Sequence, residues 1–516
     1  MLSRIGVRGL AIATVTALSA LSLIGLTTST ASAQTGPAKP FDFNGDGFTD
    51  QAIGSPFGKV GSATSAGFVN IAYGSSAGFN TSSRQVIHQS LGWVPGTGEA
   101  NDHFAQSLAS GDFDQDGFAD LAVGVPDEDT VNGADAGSVT LLWGSPSGLA
   151  AATAEEEFDT PAAGNRWGES VSVGDIEGDG YSELFITAPG MSVFKWLFFF
   201  SAGTPTAKAA SATADRDGRP GKTVGGPVKE GRAKQGEVGT LSLEDVDFSI
   251  LATGEVTGDG HDDVVYAWSD SDWPEPAERR GFVVFPGVVN PELDPPGDLG
   301  PATGVFTHVG ALAVGDFDGD SFGDVAVGQS ADSIHLGGQV EVFRGAATNV
   351  SPDASYVISQ DTGTVVGTGE AGDAFGASIA AGDVNKDGRA DLAIGSPTED
   401  VSGRTDDGVI ALVYGSATGL TGTGSQQVSQ NTAGVPGASE SGDKFGTQVS
   451  MLDNNNDGFV DALAGAPAEN AGDGMTSWLK GTATGVTGTG SIGLTCTTFA
   501  VCGLRSEIGR RLGRIG

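Results

Sequence analysis

Along the chain, short apolar runs alternate with clusters of Asp, Asn and Gly, and no helical periodicity is sustained. Runs such as FGASIAAG (375–382), DLAIG (391–395) and GVIALVYGSATG (408–419) predict strands separated by polar turns. The pattern then repeats. GDFDQDGFADLAVGVP (111–126), GDVNKDGRADLAIGSP (382–397) and LDNNNDGFVDALAGAP (452–467) align without gaps, and segments starting at Phe41, Gly174, Gly254 and Gly315 share their frame. The first acidic position of the seven falls at 42, 112, 175, 255, 316, 383 and 453, a spacing of roughly 70 residues. Each unit predicts four strands: one before the acidic loop, an apolar one after it, an alternating third (67–78, 137–148) and a weaker fourth (84–89). The pattern therefore predicts an all-β fold, a single seven-bladed β-propeller of four-stranded blades with the acidic loops between first and second strands. A calcium-binding parallel β-helix has a far shorter repeat, which argues against a solenoid.

Composition changes the picture in one direction. Glycine supplies 83 of 516 residues, and 26 basic against 65 acidic side chains give a net charge of −39. So acidic a chain repels phosphate backbones and anionic lipid, and it suits cations instead. The five histidines (88, 103, 261, 308 and 335) stand singly, which argues against a zinc hydrolase. At the start, Arg4 and Arg8, an uncharged run over 10–26 and Ala31-Ser32-Ala33 predict a signal peptide over 1–33, with the propeller over 34–516. A membrane anchor is the alternative, weakened by the short apolar run and the cleavage pattern. The expectation is a secreted, extracellular monomer with no membrane span and no nucleic-acid partner.

The acidic loops read D-x-[DN]-x-[DN]-G-x-x-D. Oxygen side chains at positions 1, 3 and 5 converge when the loop wraps tightly, the position-6 glycine allows the turn, and the position-9 acid closes the shell. Such a donor set, without His or Cys, selects calcium. The best four loops hold Asp42, Asn44, Asp46 and Asp50; Asp112, Asp114, Asp116 and Asp120; Asp383, Asn385, Asp387 and Asp391; and Asp453, Asn455, Asp457 and Asp461. Two are weaker: Asp175, Glu177, Asp179 and Glu183, where Glu replaces Asp, and Asp316, Asp318, Asp320 and Asp324, where Ser321 replaces the turn glycine. The weakest is Glu255, Thr257, Asp259 and Asp263. An EF-hand needs Glu at position 12; here that position is Ile53, Val123, Ile186, Tyr266, Val327, Ile394 and Ala464.

These residues resemble the FG-GAP repeat of the integrin α-subunit propeller. FG stands at Phe375-Gly376 and Phe445-Gly446, and loosely at Phe104-Ala105 and Trp167-Gly168. GAP stands at Gly465-Ala466-Pro467, and as Gly-x-Pro at Gly54, Gly124 and Gly395. The resemblance implies seven blades, calcium in the loops, and ligand recognition on the opposite face. The fourth and fifth units lack both elements, and nothing here resembles an integrin's later domains.

A catalytic reading is not favoured. Gly74-Ser75-Ser76-Ala77-Gly78 fits G-x-S-x-G, but the same turn recurs at 144–148, 415–419 and 481–485, so it reads as structural. A non-catalytic adhesion or protein-binding scaffold is expected, with an extracellular protein or glycan as ligand. The alternative is a carbohydrate-binding propeller, although the seven tryptophans do not recur at one position of the unit. Residues 201–245 concentrate basic side chains and read as an inserted loop of the third blade, either a recognition loop or a solvated insertion. VFKWLFFF (193–200) reads as a central strand. Asn80 and Asn349 open N-x-S/T triplets. Residues 508–515 align with 445–452 and predict a strand, closing at 508–516, that completes the first blade. Cys496 and Cys502 predict a local disulfide beside it, with two free thiols as the alternative.

Overall fold

Strictly repeating, strongly apolar segments flanked by glycine turns have one way to bury both faces, which is to stack sheet on sheet. The computed structural model, which describes residues 37–155, 162–191, 193–198, 208–212, 248–270, 279–287, 309–347, 350–504 and 506–513, shows that arrangement. The predicted signal peptide lies outside the described residues.

Antiparallel sheets follow one another along the chain as blades. Blade one holds Arg511–Leu512, Gln51–Ser55, Phe68–Ala72 and Arg84–Ile87. Blade two holds Ser107–Gly111, Asp120–Val125, Ser138–Trp143 and Ala151–Glu155. Blade three holds Val171–Gly174, Glu183–Ala188, Val193–Phe198 and Lys208–Ala212. The fourth sheet holds Phe248–Gly254, Asp263–Asp270 and Arg279–Phe285. Blade five holds Ala311–Gly315, Asp324–Gln329, Gln339–Arg344 and Ser351–Ile358. Blade six holds Ser378–Gly382, Asp391–Ser396, Val409–Tyr414 and Thr421–Val428. Blade seven holds Val449–Leu452, Asp461–Ala466, Met475–Thr482 and Gly485–Thr495.

Two expectations change. Six blades are four-stranded rather than seven, because the fourth sheet has three strands among the described residues; 288–308, where another strand would follow, lie outside them. The segment read as an insertion contributes a strand, since Lys208–Ala212 pairs with Val193–Phe198; the rest of it, 201–207 and 213–245, lies outside the described residues. Ala and Ser in KAASA carry too weak an alternation to announce an outer strand.

The second strand of a blade is its most buried element. DLAVGV, DLAIGS and DALAGA are buried at every position, as fits strands covered on both faces by neighbouring blades. Cores accordingly lie between blades: Val69 and Ile71 pack with Leu121 and Val123, Ile379 and Ile394 with Val340 and Val342, and Ile53 with Leu463 and Trp478. Each such Leu, Ile or Val contributes about 1.5–3 kcal/mol on burial.

A recurrent lock joins successive blades. Phe104, Trp167, Phe375 and Phe445 are fully buried; the first three bridge a glycine of the preceding blade (Gly67, Gly137 and Gly338), and Phe445 lies against Gly408 with its N–H donating to Asp407 O (2.9 Å). The next residue then presses its carbonyl onto a second-strand glycine. At Gly395 an added methyl would lie 3.1 Å from the Gly446 carbonyl carbon and closer still to its oxygen. Gly446 itself needs φ 88°, which favours glycine. FG and GAP are thus two halves of one contact. Ile508 and Gly509 make the same contact on blade seven, with Ile508 bridging Gly474 and Gly509 lying against Gly465. Arg511 and Leu512 then pair with Gly54 and Ile53. Ser450 Oγ donates to Gly513 O (2.7 Å), and Gly513 N donates to Ala52 O (2.9 Å), so blades seven and one are joined through this segment. Cys496 and Cys502 form a disulfide next to it. No helix among the described residues is long and apolar enough to cross a membrane.

Candidate functional site

All seven acidic loops run into the start of a second strand, and the position-12 residues lie buried on that strand. Within a loop, the position-1 acid organises the turn. Asp42 accepts from the N–H of Asp46 (3.0 Å) and of Gly47 (2.9 Å). Asp112, Asp175, Asp383 and Asp453 repeat both bonds, and Asp316 repeats them with Asp320 and Ser321. The position-5 acids Asp46, Asp116, Asp179, Asp259, Asp320, Asp387 and Asp457 each accept from the N–H two residues on. Position 6 sits in the left-handed region throughout, and Ser321 adopts φ 76° there without being glycine.

The position-9 acid ties the loop to the sheet. Asp391 accepts from Val384 N–H (3.1 Å) with one oxygen and from Gly415 N–H (2.9 Å) with the other. Asp50, Asp120, Asp263, Asp324 and Asp461 do the same with Gly74, Gly144, Gly287, Gly345 and Gly481 as second donors. Glu183 accepts from Ile176 N–H (2.9 Å). Burial pushes Asp324, Asp391 and Asp461 up to about 7 and Asp263 to about 6, against the pull of these backbone donors. Asp50, Asp120 and Glu183 are raised well above their usual range for the same reason.

The loops differ at positions 3 and 5. Oxygens of Asp112, Asp114 and Asp116 lie within 4.8 Å of one another, as do those of Asp316, Asp318 and Asp320. Burial, then repulsion from Asp116 and Asp112, lifts Asp114 to about 6. Asn385 Oδ1 is buried in the sixth loop without a partner. In the fifth and seventh loops a basic side chain intervenes: Arg344 pairs with Asp318, and Lys480 with Asp457 at 2.9 Å. Each stands directly before the donor glycine at the end of the third strand (Gly345, Gly481), where blades one, two and six carry Tyr73, Trp143 and Tyr414. In the fourth loop Thr257 turns its hydroxyl onto Asp263 (3.4 Å), and Glu255 caps the N–H groups of Gly258 and Gly260.

Sequence reasoning missed the two basic partners and the glycine donors 20–24 residues on in the same blade; the aromatic-to-basic change before that glycine was the available signal. The G-x-S-x-G turns lie between third and fourth strands, where Ser75, Ser145 and Ser416 donate to the glycine carbonyl three residues on (2.6 Å each). Trp167 and Trp478 are buried, whereas Trp93 is exposed.

The FG-GAP repeat model matches residues 104–142 and 375–413. Integrin alpha-PS2 of Drosophila melanogaster is 34% identical over 154 residues, 29% of this chain and 10% of that protein. Phosphatidylinositol-glycan-specific phospholipase D of Rattus norvegicus is 30% identical over 122 residues, 24% of this chain and 13% of that protein. These alignments thus span only 10% and 13% of the relatives' own lengths. A solved structure from Lactobacillus plantarum overlaps 84% of this chain and 92% of its own at 10% identity and a TM-score of 0.38. With its interlocked Phe-Gly and Gly-Ala-Pro elements on antiparallel blades, the chain is a β-propeller that carries FG-GAP repeats and is homologous to integrin alpha subunits.

Proposed function

We propose that this chain is a secreted, extracellular propeller of seven blades whose acidic loops bind calcium, and that it serves, without catalysis, as an adhesion or protein-binding scaffold. The observation that carries the calcium reading is the second loop, where three carboxylates crowd within 4.8 Å with all-oxygen chemistry. Carboxylates so close repel each other, and a hard cation offsets that repulsion. The residues fit such an ion: Asp112, Asp114, Asp116 and Asp120 would hold it in blade two, with Asp42, Asn44, Asp46 and Asp50, or Asp383, Asn385, Asp387 and Asp391, in the equivalent places. The unpartnered Asn385 Oδ1 supports this for the sixth loop. The scaffold reading rests on the homology to integrin alpha-PS2 over the shared segment.

Equilibrium dialysis against radioactive calcium tests it. The purified protein should bind several ions per chain, and the double substitution D114A/D116A should remove one. A chain that binds no calcium, or a variant that binds as many ions as the parent, refutes the reading.

A further inference from the structure

The fifth acidic loop does not fit an ion as the second one does. Both crowd three carboxylates within 4.8 Å, but the fifth also faces a base. Arg344 pairs through Nη1 with Asp318, the position-3 acid. Among the described residues no Lys, Arg or His forms an ion pair with Asp112, Asp114 or Asp116 of the second loop. In the fifth loop Asp316 Oδ1, on the position-1 acid, accepts from both Gly319 N–H (2.7 Å) and Asp320 N–H (3.1 Å). Calcium takes about six to eight oxygens at close range. Here two of the three carboxylates are already engaged, and a full positive charge lies against one of them.

Contacts outside the loop hold that charge in place. Arg344 Nη2 donates to Thr418 O of blade six (2.7 Å), and the guanidinium carbon lies 5.5 Å from the centre of the Tyr356 ring, within range of cation–π attraction. An exchange of side chains between repeats makes room for the base. Blades one and six carry Tyr73 and Tyr414 at the place of Arg344, and their phenols bond Gln85 and Gln426 twelve residues on. Those phenols also lie against Gly148 and Gly485 of the next blade. In blade five the residue twelve on is Tyr356, and its own phenol lies against the equivalent Gly419. Tyr356 Oη accepts from Leu420 N–H (2.7 Å), as Gln85 and Gln426 accept from Leu149 and Val486. The phenol has thus passed from the third strand to the fourth, and the vacated place carries the base that meets Asp318.

We propose that Arg344 takes the cation's role in the fifth acidic loop, so that blade five balances its own carboxylates and binds no calcium there. The ion count in this proposal rests on the calcium reading of the other loops; the pairing does not. Arginine stays charged at any ordinary pH, so this counter-ion is permanent. The boundary between blades five and six, where Arg344 reaches Thr418, keeps its charge balance when calcium is withdrawn.

Isothermal titration of the full protein with calcium gives the first test. Asp318→Ala should leave the number of bound ions unchanged, and Arg344→Met should raise it by one. Asp114→Ala, in the second loop, should lower it by one; an unchanged count there speaks against the calcium reading and not against Arg344. With the second loop shown to bind, a lower count for Asp318→Ala or an unchanged one for Arg344→Met overturns the proposal. Urea unfolding in EDTA tests the pairing with no calcium present. Arg344→Met should lower the midpoint. Adding Asp318→Asn removes the charge but keeps the acceptor for Asp320 N–H (3.2 Å), and it should recover more than half of that loss. A double variant no more stable than Arg344→Met overturns the proposal whatever the loops bind.

Discussion

Replacing Gly395 by alanine tests the interlock that holds neighbouring blades together. The new methyl would lie 3.1 Å from the Gly446 carbonyl carbon and nearer to its oxygen, so it meets backbone of the next blade. No rotamer change relieves a clash with a carbonyl, and Gly446 is itself held by its bond from N–H to Gly465 O (2.9 Å). Overpacking in a filled core costs about 1–3 kcal/mol, and the rigid partner places this change near the top, at about 3 kcal/mol. Gly403→Ala is the control. Gly403 has φ 80° with nothing within 4 Å of the added atom, so only left-handed strain of about 1 kcal/mol remains. Urea unfolding in saturating calcium, with equal m-values for all proteins, reads the difference directly. A Gly395→Ala variant as stable as Gly403→Ala would show that the close approach of carbonyl and glycine does not bind the blades.

Other outcomes follow from the same geometry. Ser321→Gly should stabilise the fold by about 1 kcal/mol in urea titration, because Ser321 is held at φ 76°; a loss of stability would contradict the strain. Ile508→Ala, at a fully buried side chain, should cost about 3 kcal/mol, and an effect under about 1 kcal/mol would mean that the 508–512 segment does not close the first blade. Lys480→Met should strengthen calcium binding by the seventh loop several-fold, since Lys480 neutralises Asp457 across 2.9 Å; an unchanged titration removes Lys480 as a competitor. In EDTA, burial holds Asp324, Asp391 and Asp461 at about 7. Groups raised in this way stabilise the fold below their unfolded value of ~4 and lose that contribution as pH rises through 7. The melting temperature without cation should therefore fall between those pH values, and the stabilisation by calcium should grow; a calcium effect equal at pH 5 and 7.5 would contradict the assignment.

Much of this fold is legible because its signals are local and repeated. The acidic turn, the apolar strand after it and the Phe-Gly element recur at one spacing, and a strand buried on both faces must be continuously apolar, as Asp391–Ser396 is. Features decided by a distant residue were not legible. Lys208–Ala212 becomes a strand only through its pairing with Val193–Phe198. Among the described residues the fourth sheet has three strands, and its unit lacks the Phe-Gly and Gly-x-Pro elements that mark blade edges elsewhere. In the candidate sites, the loop donors could be named from the motif. Whether a loop faces an aromatic or a base, as at Tyr414 and Lys480, depends on the end of the third strand, about twenty residues on.

The central claim is that calcium in the acidic loops stabilises the ring, and thermal unfolding with and without the ion tests it most directly. The protein is stripped with EDTA, dialysed, and melted alone, with calcium, and with magnesium at equal ionic strength. Each site filled at 100 times its dissociation constant adds about 2.7 kcal/mol, so several sites should raise the midpoint by many degrees, reversibly, with magnesium less effective because it demands a tighter octahedral shell. A midpoint unmoved by EDTA and by calcium would contradict the account.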